Sequence, residues 1–83
     1  MSYFVYILRT SKDTLYTGMA KDLEKRLAEH RSKSARSAKY LRMFESFKLV
    51  YSESQPTRGD ALKREYELKQ LTRAEKEELI VGG

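Results

Sequence analysis

Residues 3–9 read YFVYILR, and this segment constrains the fold more than any other part of the chain. Its aromatic and β-branched residues are typical of a strand. Apolar side chains stand at both odd and even positions, which predicts that both faces of the strand are covered. A chain of 83 residues buries only a modest core. We therefore expect a single domain, residues 1–83, in which other elements pack on each side of this strand.

Two further segments are predicted to be strands. Residues 14–19 follow a turn near Lys12 and Asp13, which predicts a β-hairpin with the first strand. Gly18 within this strand predicts a bulge or a close approach of other atoms to the backbone. Residues 47–52 form the third predicted strand, and alternation places three of its side chains on one face: Phe47, Leu49 and Tyr51.

Helix starts are marked by capping residues. Asp22 is a suitable N-cap for a helix over about residues 22–31. Thr57 is the predicted N-cap of a second helix that ends near Leu71. Thr72 and Glu75 form the spacing of a capping box that opens a final short helix. This order of elements predicts an α+β fold, a small three-stranded antiparallel sheet flanked by helices.

The charge of the chain is unevenly distributed. The net charge is +5, and all of this excess lies in residues 1–56, because residues 57–83 hold equal numbers of basic and acidic side chains. Residues 31–42 contain no acid, and four of their cations recur every three residues: Lys33, Arg36, Lys39 and Arg42. Such a patch suits a polyanion, most often nucleic acid. A solvated surface that aids solubility is an equal alternative.

The composition excludes several classes of protein. The chain has no cysteine, which excludes disulfides and a cysteine-based zinc site and favours a reducing compartment. The apolar run at residues 5–8 is too short for a signal peptide or a membrane span. We expect a soluble cytoplasmic protein that does not enter a membrane.

Three sets of residues could carry chemistry. Glu65 falls in the predicted core-facing stripe of its helix, where a carboxylate needs a cation or a salt bridge. Arg26 and His30 are one helical turn apart and could bind a phosphate and relay a proton, or they could lie on a solvated face. Tyr6 and Tyr16 are neighbours if the first two strands pair, although a buried tyrosine is more often part of the core.

Taken together, these residues resemble the GIY-YIG nuclease family. The family's Gly-Ile-Tyr and Tyr-Ile-Gly motifs correspond to FVY at residues 4–6 and YTG at residues 16–18. The segment KDLEKRLAEH carries the helix arginine and histidine at Arg26 and His30, and LKREYELK places the metal-binding glutamate at Glu65. The similarity covers nearly the whole chain, and the chain looks most similar to small bacterial members that consist of this domain alone.

The resemblance implies a metal-dependent DNA endonuclease that hydrolyses phosphodiester bonds, with a role in DNA repair or processing. It implies that Glu65 holds one Mg²⁺ or Mn²⁺ ion and that Arg26 binds a phosphate oxygen. Tyr6 would be the general base, with Tyr16 and His30 in its hydrogen-bond network. Flanking phosphates would be held by four cations: Lys33, Arg36, Lys39 and Arg42. The implied partner is nucleic acid, DNA in preference to RNA.

The sequence departs from the family pattern at a few positions. Phe4 replaces the glycine of the first motif, Thr17 replaces the isoleucine of the second, and the chain has no asparagine, which many members carry after the glutamate helix. Family nucleases usually carry an added DNA-binding domain, so target choice is expected to depend on the basic surface or on a protein partner. A non-catalytic nucleic-acid-binding module on the same fold and a small protein-interaction domain remain the alternatives.

Overall fold

The computed structural model describes residues 2–32, 41 and 44–82. The elements in these ranges are strands β1 (Tyr3–Thr10), β2 (Leu15–Ala20) and β3 (Phe47–Gln55) and helices α1 (Leu23–Arg31), α2 (Arg58–Gln70) and α3 (Arg73–Gly82). The strands form an antiparallel sheet in the order β2-β1-β3. The predicted α+β fold is confirmed. The cations predicted to hold flanking phosphates lie outside the described residues: Lys33, Arg36, Lys39 and Arg42.

Strand β1 is central and is covered on both faces, as its sequence predicts. Its four residues 5–8 are at most 1% exposed. Tyr6 and Leu8 pack on one face, in a core completed by Leu27 of α1 and Leu41. Val5 packs on the other face, in a core completed by two residues of α2: Ala61 and Leu68. The sheet therefore separates two small cores, one under α1 and one under α2.

The β1–β2 turn fixes the register of the hairpin. Asp13 adopts a left-handed backbone conformation with a φ of 62°, which aspartate tolerates better than most residues. Its N–H donates to the Thr10 carbonyl at 2.9 Å, and the Thr10 N–H donates to the Thr14 carbonyl at 2.9 Å. The resulting register pairs Tyr6 with Gly18 and Leu8 with Tyr16, so both phenols lie on the α1 side of the sheet.

Strand β3 departs from the predicted alternation. Its register against β1 shifts between Ile7 and Leu8, which pair with Tyr51 and Leu49, respectively. The extra residue, Val50, reverses the side-chain alternation beyond it, as a β-bulge does. Phe47 therefore packs in the α1 core and Tyr51 in the α2 core. The prediction that Phe47, Leu49 and Tyr51 share one face was wrong, because alternation assumes an uninterrupted ladder.

The predicted helix caps are all present. The Asp22 carboxylate and the Thr57 hydroxyl each accept from the backbone N–H three residues later, both at 3.1 Å. The Thr72 N–H donates to the Glu75 carboxylate at 2.8 Å, and the Glu75 N–H donates to the Thr72 hydroxyl at 3.2 Å. This is the reciprocal capping box read from the sequence. No helix in the described ranges is long and apolar enough to cross a membrane.

Candidate active site

The first part of the site is the close approach of Tyr6 to the backbone of β2. A Cβ atom added at Gly18 would lie 2.6 Å from the Tyr6 hydroxyl oxygen and 2.7 Å from the ring carbon that bears it. It would also lie 3.2 Å from Cε2 of Tyr16. The glycine is therefore required because the Tyr6 ring occupies the space of a side chain. This is the close approach that a glycine within a strand predicts.

His30 reaches the same point from α1. Its Nε2 lies 3.0 Å from the Tyr6 hydroxyl oxygen, and its side chain is only 1% exposed. The rings of Tyr16 and Phe47 contact it edge-on, with centroids 6.0 and 6.1 Å away. The C-cap of α1 is Ser32, two residues further along the chain. The structure thus places this histidine in the α1 core against the phenols and not at a solvated helix end.

Arg26 lies one helical turn before His30 and faces the same cluster. Its Nη1 is 3.3 Å from a carboxylate oxygen of Glu29, and both side chains are partly exposed. Burial raises the pKa values of Tyr6 and Tyr16, and Arg26 opposes that rise; burial lowers the pKa of His30, and the charge of Arg26 adds to that fall. One guanidinium therefore acts on three of the predicted site residues. The Asp22 carboxylate is engaged in capping the helix.

Glu65 approaches the phenols from α2, on the other side of the sheet. Burial is the main cause of the raised pKa values of Tyr6 and Tyr16, and the negative charge of Glu65 adds a smaller rise to each. The Glu65 side chain is 19% exposed. Its carboxylate pairs with the Lys69 ammonium at 3.5 Å. The predicted stripe of this helix is only partly confirmed, since Ala61 and Leu68 are buried but Leu62 is 40% exposed. Tyr6 is thus linked to each of the other four predicted residues, to His30 by a hydrogen bond and to the rest through their effects on its pKa: Tyr16, Arg26 and Glu65.

Burial keeps the two groups of the central hydrogen bond neutral. Desolvation, with a smaller effect of the neighbouring Tyr16, raises the pKa of Tyr6 to about 12, and the opposing effect of Arg26 does not overcome it. Desolvation, assisted by the Arg26 charge, lowers the pKa of His30 to about 4. At neutral pH the imidazole is uncharged, so its Nε2 can accept a hydrogen bond from the Tyr6 hydroxyl.

Comparison with known proteins decides the family. A family model described as the GIY-YIG catalytic domain matches residues 2–78. The chain belongs to the GIY-YIG family. The resemblance seen in the sequence is therefore confirmed over nearly the whole chain.

Proteins similar to this chain come from several bacteria. The chain is 42% identical over 81 residues to a UPF0213 protein of Staphylococcus saprophyticus, covering 98% of this chain and 96% of that protein. It is 46% identical over 79 residues to a UPF0213 protein of Staphylococcus aureus, covering 95% and 94%. The solution NMR structure of a UPF0213 protein from Bacillus halodurans matches with a TM-score of 0.62 and 37% identity, covering 98% of this chain and 84% of that one.

GIY-YIG nucleases typically use a divalent metal, and the donor set here fits only a particular kind of ion. The described residues contain no group of three or more histidine, cysteine, aspartate or glutamate side chains suited to a metal. Glu65 contributes one hard oxygen donor group at the edge of the site. Mg²⁺ commonly binds one or two carboxylates and completes its shell with water and phosphate oxygens. A single carboxylate of this kind is compatible with a divalent ion whose remaining ligands are water and phosphate oxygens.

The structure also places the two motif departures from the GIY-YIG pattern. Phe4 lines an open groove of about 1000 Å³ that meets the candidate site at Arg26. Thr17 lies on the α2 side of β2, and its buried hydroxyl has no hydrogen-bond partner among the described residues. Neither change touches the Tyr6–His30 hydrogen bond. The substitutions are therefore compatible with the rest of the motif.

Two residues near the site were missed in the sequence. Glu29 pairs with Arg26, and Lys69 pairs with Glu65, so each charged group of the site has a counter-charge on its own helix. The spacings i, i+3 and i, i+4 allow such pairs. The same spacings recur on many solvated helix faces, so no sequence signal distinguishes these two residues.

Proposed function

We propose that this GIY-YIG protein is a metal-dependent nuclease that hydrolyses a phosphodiester bond in DNA. The observation that supports this most strongly is the 3.0 Å contact between the Tyr6 hydroxyl and the buried, neutral His30. The charges of Arg26 and Glu65 act on the same phenol. A proton acceptor, a phosphate-binding cation and a metal-binding carboxylate that all act on one phenol are the parts that phosphodiester hydrolysis needs.

Tyr6 and His30 would handle the proton of the attacking water. With a pKa of about 12, Tyr6 is a neutral phenol in the resting protein. With Nε2 of His30 as the acceptor, the Tyr6 hydroxyl donates to the imidazole and accepts from Arg26, which leaves one oxygen lone pair to accept from water. Tyr6 would therefore take a proton from the water while passing its own to His30. Tyr16, whose ring contacts His30, would hold the imidazole in place.

Arg26 would bind a non-bridging oxygen of the scissile phosphate. Its side chain is partly exposed, and it lines both the candidate site and the adjacent groove. A guanidinium can bind phosphate with two hydrogen bonds, and its attraction grows as negative charge develops. In the resting protein it pairs with Glu29. A phosphate would therefore replace that carboxylate as its partner.

Glu65 would hold the divalent ion, with Lys69 moving aside. The Lys69 side chain is about half exposed, so it can rotate into solvent without leaving a buried charge. When bound, Mg²⁺ or Mn²⁺ supplies Lewis-acid stabilisation of the leaving oxygen.

The proposal also covers the substrate and the setting of the reaction. We propose that the substrate is DNA in preference to RNA and that the basic residues 31–42 contact its phosphates. The proposal further includes a protein partner for targeting, a role in DNA repair and a cytoplasmic location.

Cleavage assays with matched variants test the proposal. Single-stranded, duplex and branched DNA are incubated with the protein in Mg²⁺ or Mn²⁺, beside Glu65→Ala, Tyr6→Phe and Glu67→Ala. We expect Glu65→Ala and Tyr6→Phe each to lower the rate by about a hundredfold or more, the scale of losing a positioned acid–base or metal-binding group. Glu67→Ala is the control, since this carboxylate is half exposed on the same helix and pairs with Arg64.

The outcome that contradicts the proposal is equally direct. Cleavage that persists unchanged in Glu65→Ala would exclude this residue as the metal ligand or reveal a contaminating nuclease. Loss of activity in all three variants would indicate a general loss of structure, which circular dichroism of each variant detects.

A non-catalytic nucleic-acid-binding module is the second candidate function. It is favoured by the internal pairing of the site, since Arg26 already contacts Glu29 and Glu65 already contacts Lys69. Binding to every DNA substrate without cleavage in either metal would support this alternative. Metal-dependent turnover that Glu65→Ala abolishes would exclude it.

A further inference from the structure

We propose that the outer side of α2 binds an unpaired nucleotide next to the scissile phosphate, with the Tyr66 ring stacked on its base. This inference rests on the proposed action on nucleic acid and names where a flanking nucleotide would lie. The surface concerned, called the α2 strip, consists of Arg58, Leu62, Tyr66 and Lys69. None of these residues is among the five candidate site residues, although Leu62, Tyr66 and Lys69 lie in the segment that carries Glu65.

Helical geometry places the α2 strip on one side of the helix, beginning at the candidate site. Positions 58, 62, 66 and 69 recur at the spacing that brings side chains to one face. Tyr66 directly follows Glu65, and Lys69 contacts the Glu65 carboxylate at 3.5 Å. A strand whose phosphate lies at Glu65 would therefore pass along the α2 strip within about one nucleotide.

The exposed aromatic ring is the observation that points to a base. Tyr66 is 66% exposed and is the aromatic member of the large, exposed hydrophobic residues in the described ranges. Leu62, one helical turn earlier, is 40% exposed. Stacking on exposed aromatic rings is the main way in which proteins bind unpaired bases, and it tolerates any sequence because every base has a π-face.

The charges around the ring favour a polyanion. Arg58 and Lys69 flank the apolar pair within the α2 strip, and Lys63 lies beside it. By helical periodicity the acids Asp60 and Glu67 lie on the side of α2 away from the midline of the strip, and Glu65, at the edge of the strip, pairs with Lys69. A cation–aromatic–cation surface suits a nucleotide, whose base can stack while its phosphates pair. One aromatic and one leucine are too small a patch for a stable protein–protein interface.

Binding to short single strands in EDTA tests the inference without requiring cleavage. The probes are a fluorescein-labelled single strand of about twelve nucleotides and the same strand built of abasic sites. Fluorescence anisotropy should show that Tyr66→Ala weakens binding to the base-bearing strand by about tenfold. Tyr66→Phe should bind as the wild type does, because the ring is retained. The abasic strand should bind wild type and Tyr66→Ala equally.

Two control variants separate stacking from general effects. Val81→Ala removes another exposed apolar side chain, on α3, and Lys48→Ala removes a cation on β3, which contributes none of the candidate site residues. Neither should change the dependence of binding on bases. The inference is overturned if Tyr66→Ala binds the base-bearing strand as tightly as wild type does. It is also overturned if the loss is as large for the abasic strand, or if sedimentation shows that Tyr66→Ala instead dissociates a dimer.

The cleavage test and the binding test can fail separately. Base binding that depends on Tyr66, in a protein that does not cleave, would support the α2 strip and contradict the nuclease proposal. Cleavage that depends on Glu65, together with binding that does not change in Tyr66→Ala, would support the nuclease proposal and contradict the α2 strip. A wild-type protein that binds neither strand overturns the α2 strip and leaves the cleavage assay to decide the function.

Discussion

Two clusters of ionisable side chains in this molecule differ in the interactions that set their pKa values. One is the site cluster: Tyr6, Tyr16, Arg26, His30 and Glu65. The other, the β1–α3 network, joins the hairpin to the last helix through Arg9, Asp13, Arg73 and Glu77, whose opposite charges lie 2.9–3.2 Å apart in three of its pairs. Both clusters assemble residues that are far apart in the sequence.

The pKa shifts of the two clusters run in opposite directions. In the β1–α3 network, hydrogen bonds from Arg9 hold the pKa of Glu77 at about 2 and that of Asp13 below its usual range. Every shift there favours the charged form. In the site cluster, burial raises the pKa of Tyr6 and lowers that of His30, so both shifts favour the neutral form. Paired surface charges stabilise the fold, whereas buried groups held neutral are available for proton transfer.

Gly18→Ala should have the largest effect, because it disrupts the site cluster directly. The new methyl group would collide with the buried Tyr6 ring, at 2.6 and 2.7 Å, and with Tyr16 at 3.2 Å. We expect a loss of about 3 kcal/mol or more in the free energy of unfolding, at the upper end of overpacking effects. Urea denaturation measures the change, and any cleavage activity should fall with the displaced phenol.

Gly59→Ala is the matched control for that substitution. Gly59 lies in the first turn of α2, where an added Cβ would meet only the Thr57 hydroxyl at 3.9 Å. Alanine there should be neutral or stabilising by up to about 1 kcal/mol. Equal stability changes at the two glycines would contradict the described contact between Tyr6 and β2.

His30 should make stability depend on pH in the mildly acidic range. Its pKa is lowered from 6.5 to about 4, so the unfolded chain binds a proton there that the folded chain does not. Stability from this group is complete above pH 6.5 and falls as the pH drops toward 4. Between about pH 7 and about pH 5 the loss amounts to about 2 kcal/mol. Denaturation curves of His30→Gln should lack this loss even though the variant starts from a lower stability.

Glu77→Gln should give the smallest change and at lower pH. The folded pKa is depressed from 4.5 to about 2, so this group stabilises the fold above pH 4.5 and loses that effect as the pH falls toward 2. The variant should therefore show a flatter stability profile in that interval, with cleavage unchanged at neutral pH. Glu78→Gln, at an exposed position on the same helix, is the control. A cleavage defect in Glu77→Gln would break the separation between the two clusters.

Local sequence signals predicted much of this fold. The capping residues Asp22, Thr57 and Thr72 predicted the starts of α1, α2 and α3, since capping depends only on residues within one turn. The bulge at Val50 could not be read, because it depends on pairing with a distant strand. Leu62 was placed in the core because its spacing suited a buried face, whereas the packing of α2 leaves it exposed.

The candidate site was predictable only as a combination. Taken singly, Tyr6, Arg26 and Glu65 each matched an ordinary structural role, and the family resemblance was needed to place them together. The ion pairs that Glu29 and Lys69 form with site residues were not predicted, because ion pairs of this spacing are common on helix faces. The neutral state of His30 followed from burial against Tyr16 and Phe47, a tertiary contact that no local pattern encodes.

The central strand has a consequence for the integrity of the whole molecule. Because β1 separates two cores, Arg26 and His30 are positioned from one layer, and Glu65 is positioned from the other. The site side chains can stay together only while the layers on both sides of the sheet remain packed. A partly melted protein would thus keep some secondary structure yet lose the assembled centre, so the competent state should exist only when both halves of the domain are folded at once.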